Sequence, residues 1–315
     1  MVLVLFKPDH KQLLWILLGI EFSSCILDQC RWQPWEYQFL FTVFIYAVNI
    51  RRRELIQPAL LFLMAASYFY SGLQKVNPGF LYVVWESVIL RVLVSSHTGP
   101  WPQWVSNIGY LLAIMELLAG IALLSTRYRP MAAVFLIAMQ LLNLYMLGPL
   151  GLNYNRVVWP WDIMMALSLV IFVFYQREDQ PAFQIKSLWS GGNMLLLICW
   201  GILPMLNLFG LWDNYLSLNL YSGRLPIVTI CVKDDASLKE LQPYISHEDA
   251  YHICSGKAQI NIQLWAMDEM GVPPYPEMRV YEQVQRTFTA RYPTADAQML
   301  YNAFPYYRAD WKEIR

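Results

Sequence analysis

Long apolar stretches separated by short polar ones fill the first two-thirds of the chain, and alternating or amphipathic patterns replace them past residue 211. Seven stretches, at about 12–29, 35–50, 55–75, 104–124, 131–149, 159–176 and 189–210, approach the roughly 20 helical residues that cross a hydrocarbon core of about 30 Å. The second and sixth are short, which tilt and snorkelling side chains accommodate. Between Pro78 and Trp104 the pattern changes. Leu81, Val84, Trp85, Val88 and Val92 recur at helical spacing, but Glu86 and Arg91 are costly in lipid. This segment reads as an outer interfacial helix that rests one face on the bundle and is placed to roof a cavity.

Past residue 211 the signals are those of a small α+β fold. RLPIVTICV reads as a strand, and in KAQINIQLW the residues Ala258, Ile260, Ile262 and Leu264 alternate with polar ones as in a half-buried strand. Val280, Val284 and Phe288 share one face of a helix over 278–292, and Thr294 is placed to cap a short helix over 295–303. The fold class expected is therefore an α-helical polytopic membrane bundle, residues 1–211, of about seven spans plus the outer interfacial helix. A small C-terminal α+β extramembrane domain, residues 212–315, follows it.

Composition and charge sharpen this picture. Of the 315 residues 57% are hydrophobic and 15% charged, with 13 Trp and 20 Tyr, rings suited to bilayer interfaces. Residues 1–211 hold 13 of the 23 Lys/Arg and 10 of the 23 Asp/Glu, and the remaining 104 residues hold 10 and 13. A formal net charge of zero gives no broad basic surface for nucleic acid. Loops on one side carry Lys7, Lys11, Arg51, Arg52, Arg53, Arg127, Arg129, Arg177 and Lys186, against Arg31, Lys75, Arg91 and Arg156 on the other. The positive-inside rule then places the N-terminus in the cytoplasm and the C-terminal domain outside. In a bacterium these are the inner (cytoplasmic) membrane and the periplasm. A second reading takes Lys7 to Cys25 as a signal peptide; Glu21 inside that stretch argues against it.

The candidate chemistry lies where polar groups interrupt the apolar pattern. YFYSGLQKVNPGF, residues 68–80, closes the third stretch, and Tyr68, Ser71, Gly72 and Lys75 fall on one helical stripe. Two roles fit Lys75: an amine at a helix C-terminus that snorkels to water, or a general base desolvated at the mouth of an apolar pocket. Gly72 admits a flat ligand or a neighbouring helix. Glu116 interrupts the fourth stretch at membrane depth, where a carboxyl is either functional or hydrogen-bonded between helices; Glu21 is read as structural. Asn153, Arg156, Trp159 and Asp162, around the polar loop GPLGLNYNRVVWPW, form a second candidate wall on the side of Lys75. Arg156 and Asp162 are expected to pair, and Glu86 is placed at the pocket rim. The five cysteines contain no CxxC pair and no zinc spacing. Cys231 and Cys254 are either a disulfide or buried thiols. SHEDAYH, with His247 and His252, reads as a solvated helix start rather than a metal site. No phosphate loop, nucleophile elbow or HExxH motif occurs.

SGLQKVNPGF resembles the segment carrying the active-site lysine in vitamin K-dependent γ-glutamyl carboxylase and its bacterial relatives, the horizontally transferred transmembrane (HTTM) family. GLNYNRVVWPWDIMMALSLVIF and LPMLNLFGLWDNYLSLNLYSGRLPIVTICVKD resemble, in the same order, a polar loop entering a span and the junction of the last span with the external domain. The resemblance implies a lipid- or quinone-linked membrane enzyme, a carboxylase/epoxidase-like lyase or oxidoreductase. Lys75 would be its base in an outward-facing pocket and a reduced quinone its cofactor. Only Lys75 carries over residue for residue, and no histidine aligns with the one that supports the family's lysine. The competing reading is a non-enzymatic membrane scaffold whose external domain docks a protein of the cell envelope.

Overall fold

The computed structural model describes residues 10–94, 99–175, 183–233, 236–247, 253–255, 257–303 and 311–314. His97, Arg177, Glu248, Asp249 and His252 lie outside them. The chain forms two compact units, Met1–Gly223 and Arg224–Arg315. The division expected after residue 211 therefore falls after Gly223. Residues 212–223 stay with the first unit because Tyr215, Leu218 and Leu220 are buried in it and Asn155 donates to the Tyr221 hydroxyl.

Each apolar stretch of the first unit is helical. In order they are α1 (Lys11–Leu27), α2 (Pro34–Asn49), α3 (Ile56–Lys75), α4 (π-wound Phe80–Ile89, then α-helical Leu90–Leu93), α5 (Gln103–Ala122), α6 (Arg129–Leu147), α7 (Val158–Val170) and α8 (Asn193–Phe209). Among the described residues, three helices are long and apolar enough to cross a membrane: α3 with its lead-in from Arg53, α5 and α6. The helix lengths do not support seven full spans. Helix α1 has 17 residues and α2 has 16, and the helices at Val158–Phe174 and Asn193–Phe209 are apolar but shorter than a span.

Helix α3 is the centre of the unit, because its residues belong to two cores. Leu61, Met64, Ala65 and Tyr68 pack with α5, α6 and α7, while Leu60, Leu63, Ala66 and Tyr70 pack with α2 and α8. Its most apolar window is 61% buried, against 33% for α5 and 28% for α6. Leu111, Leu118, Ile121, Val134 and Leu141 on the outer faces of α5 and α6 are exposed, as lipid-facing side chains would be. Apolar burial gives little drive between helices in lipid, so close packing must supply it. Gly72 and Gly120 do so reciprocally. A Cβ on Gly72 would lie 2.4 Å from the Leu117 nitrogen, and one on Gly120 would lie 2.6 Å from the Phe69 nitrogen. The two helices thus run antiparallel with backbones in contact, a register that sets Lys75 beside Glu116.

The second unit is a five-stranded antiparallel sheet in the order β2-β3-β1-β4-β5, with β1 (Ile227–Val232), β2 (Ile245–Ser246), β3 (Ala258–Asn261), β4 (Ala297–Asn302) and β5 (Lys312–Glu313). Helices α9 (Ile262–Met270) and α10 (Met278–Arg291) complete it. Two expectations are corrected here. The strand over KAQINIQLW ends at Asn261, whose side chain caps α9 by accepting from the Leu264 amide at 3.0 Å. The helix expected over 295–303 is strand β4, which pairs with all six residues of β1. Cross-strand pairing there outweighs the helix propensity of Ala, Gln, Met and Leu.

Cys231, in β1, and Cys254 form a disulfide. Closing a loop of this length stabilises a domain by about 3 kcal/mol. Replacing both cysteines with alanine is expected to lower the unfolding free energy of the 224–315 unit by about that much, measured by denaturant titration of the full chain.

Candidate functional site

Helix α3 ends where its sequence turns polar, but the group that satisfies its last turn is Asn77, not Lys75. The Asn77 amide donates to the carbonyls of Gln74 (2.6 Å) and Ser222 (2.9 Å), and its oxygen accepts from the Phe80 amide (3.0 Å). This frees Lys75 from capping. Side chains on a helix lean towards its N-terminus, and Lys75 reaches back along α3. Its ammonium donates to Ser71 Oγ at 3.0 Å and to both oxygens of Glu116, at 3.0 Å and 2.7 Å. The Lys75 side chain is 13% exposed and that of Glu116 is 6%. Glu116 lies 13 residues into α5, about 20 Å along that helix at 1.5 Å per residue. The amine therefore meets a carboxylate well inside the bundle, and the expectation that it snorkels to water is corrected.

The pair faces a cavity. The centre of a water has about 60 Å³ in which to move, and the whole empty space, its open mouth included, is about 530 Å³. One water needs about 10–15 Å³ by the first measure, so the interior holds several. Four elements supply the polar lining: Tyr68, Ser71 and Lys75 from α3, Glu116 from α5, Gln140 and Asn143 from α6, and Trp161 and Asp162 from α7. Tyr221 closes it from the segment after α8. That segment is fastened to the end of α3 by the Asn77–Ser222 bond and by Gly223, whose left-handed φ of 68° lets it touch the backbone of Gly79.

The lining is hydrogen-bonded nearly throughout. The Tyr68 hydroxyl accepts from the Gln140 amide at 3.0 Å, and Gln140 Oε1 accepts from Asn143 at 3.4 Å. Trp161 donates to Gln38 at 2.7 Å, which fixes the start of α7. Tyr221 accepts from Asn155, and burial keeps its phenol above its usual pKa, so it stays a neutral hydroxyl. Asp162 is the exception: it is 2% exposed, and its Oδ2 has no hydrogen-bond partner among the described residues.

Of the site residues expected from sequence, Lys75, Glu116, Tyr68, Ser71 and Asp162 meet at this cavity. The others do not line it. Gly72 faces the backbone of α5 rather than a ligand. Glu86 accepts from Ser106, within the contact of α4 with the first turns of α5, where Leu81 and Trp85 lie against Gly109. Helix α4 consequently does not roof the cavity. Asn153 and Arg156 are exposed, and Arg156 makes no ion pair with Asp162 among the described residues. The Trp159 indole donates to the carbonyls of Leu147 and Tyr154, which braces the loop. The polar wall is thus the start of α7, not the loop before it. Glu21 lies 3.9 Å from Arg31, away from the cavity.

No protein-family model, curated protein or solved structure matches this chain. What the site is able to do must follow from its own residues. Gln140 and Asn143, missed in the sequence, carry the signal that marked Glu116: polar side chains inside an apolar helix. Tyr221 carries none, because a tyrosine among the aromatics after α8 has no pattern that places it.

Proposed function

We propose that this chain is a membrane enzyme that performs acid–base chemistry on a hydroxyl of a lipophilic ligand, with Lys75 and Glu116 as a coupled base. The observation that carries the reading is an inward-turned Lys75 ammonium, bonded to Glu116 and Ser71 on a cavity wall. Lys75 Nζ takes the proton of a hydroxyl presented at the cavity as one of its own protons passes to Glu116 along the 2.7 Å contact. One O–H bond breaks and one forms. The ammonium remains beside the oxygen that gave up its proton, where a positive charge in a desolvated site is most effective.

The resemblance to the carboxylase family makes a reduced quinone the ligand class. Its hydroxyls suit the Lys75 wall, and its ring and tail suit the apolar lining of Leu147, Val158, Met165, Leu218 and Leu220. When bound, such a group supplies the redox chemistry that no residue of this lining provides. A membrane location with the C-terminal unit outside belongs to the same reading. The apolar outer faces of α5 and α6 and the Cys231–Cys254 disulfide, a bond of oxidising compartments, support it.

The test is purification in mild detergent with mass spectrometry of co-purifying lipophiles, for the wild type and for Lys75→Met/Glu116→Leu. A quinone or other hydroxyl-bearing lipophile retained by the wild type and lost from the variant is expected. Equal retention by both would overturn the assignment. Retention by both of one envelope protein, with no lipophile, would favour a scaffold instead.

A further inference from the structure

Two carboxyls, Glu116 and Asp162, and one amine, Lys75, line the cavity. Glu116 directs both oxygens at Lys75. Asp162 is then a second carboxyl on the same cavity, 2% exposed, with Oδ2 unpartnered among the described residues. The cationic side chain nearest it in the sequence, Arg156, is exposed rather than turned to it. A buried polar group without a partner costs free energy, and of the described residues that carry such an atom Asp162 is the one that lines this cavity. The neighbouring side chains are not short of bonding capacity. Asn155 donates to Tyr221, Trp161 to Gln38, and Gln140 to Tyr68, all arranged without using the Asp162 oxygen. The carboxyl, which lines the cavity, is left for something that enters it.

We infer that Asp162 is the second anchor of the ligand: its carboxyl, on the wall of the cavity, accepts from a hydroxyl or amine of the bound molecule while Lys75 works on another oxygen of the same molecule. This inference rests on the proposed acid–base site at Lys75 and narrows its ligand. A molecule with a single polar group satisfies only one wall. A ligand with two polar groups, at least one of them a hydrogen-bond donor free to face α7, satisfies both. Asp162 is thus a positioning and specificity residue and takes no proton in the step at Lys75.

The experiment titrates detergent-solubilised wild-type protein, anaerobically, with 2-methyl-1,4-naphthohydroquinone, its two monomethyl ethers and its dimethyl ether, following tryptophan quenching. A buried hydrogen-bond partner left unsatisfied corresponds to about tenfold to a hundredfold in affinity. The diol is expected to bind more tightly than either monoether by that factor, and the dimethyl ether more weakly still. In Asp162→Leu the gap between the diol and the better monoether closes, while Lys75→Met/Glu116→Leu weakens the diol and both monoethers. Asp162→Asn, which keeps the shape and a neutral acceptor, falls between. Equal affinity of diol and monoether for the wild type would overturn the inference, even if no Asp162 variant folds. A preference that survives in Asp162→Leu would overturn it too. If the ligands bind with Lys75 dependence but without the preference, only the role of Asp162 fails; if none binds the wild type, the site at Lys75 fails with it.

Discussion

Lys75→Ala is expected to destabilise the protein by about 3–5 kcal/mol, the usual cost of leaving one member of a buried ion pair without its partner. Glu116 is 6% exposed at its side chain, and beyond Lys75 no other cation bonds to it among the described residues. The stranded carboxylate must take up a proton, draw water into the bundle or push α3 from α5. Lys75→Met/Glu116→Leu is expected to recover most of that loss, because a buried pair replaced by apolar groups of similar volume is commonly neutral or stabilising. The recovered protein should nonetheless hold no hydroxyl-bearing ligand. Unfolding in a denaturing-detergent titration checks the stabilities, and the co-purification experiment checks the ligand. A double variant as unstable as Lys75→Ala would show that the pair contributes more than the cancellation of its own charges.

Gly72→Val is expected to be as damaging for a different reason. The atoms that a Cβ at Gly72 would meet are backbone: the Leu117 nitrogen at 2.4 Å and the Ala113 oxygen at 2.8 Å. Neither can rotate aside as the tip of a side chain can, so α3 and α5 must separate. Overpacking of this kind costs about 3 kcal/mol or more where nothing yields, and the separation also pulls Lys75 from Glu116. Gly19→Ala in α1 is the control. Nothing lies within 4 Å of its Cβ, and alanine is favoured over glycine in a helix by about 1 kcal/mol. The same unfolding titration is expected to show a large loss for Gly72→Val and little change or a small gain for Gly19→Ala.

The helical positions were legible in the sequence because an apolar run bounded by charge or proline has few other outcomes. The stripe of Tyr68, Ser71 and Lys75 was legible because helical spacing is rigid. Which partner Lys75 takes was not, since Glu116 is 41 residues away and only the Gly72–Gly120 register brings the two together. The sequence placed a capping lysine at the end of α3, and the structure gives that task to Asn77, two residues on. A side chain that reaches backwards and one that reaches forwards are alike in sequence. The wall at α7 was located with Asp162 in it, and Asp162 lines the cavity; Asn153 and Arg156, named with it, are exposed in the loop before the helix. The errors in the C-terminal unit are of another kind. Asn261 ends a strand by capping the next helix, and 297–302 is a strand because β1 has an edge for it to pair with. Neither fact is local to the segment concerned.

We propose that the Lys75–Glu116 pair removes a proton from a bound hydroxyl. It is tested most directly by the absorption spectrum of 2-methyl-1,4-naphthohydroquinone on the protein under anaerobic conditions at neutral pH, because the ionised hydroxyl of a naphthol absorbs at longer wavelength than the neutral one. The long-wavelength band is expected in proportion to bound ligand with the wild type and no such band with Lys75→Met/Glu116→Leu. Binding to the wild type with the spectrum of the neutral ligand, or the same band with the double variant, would contradict it.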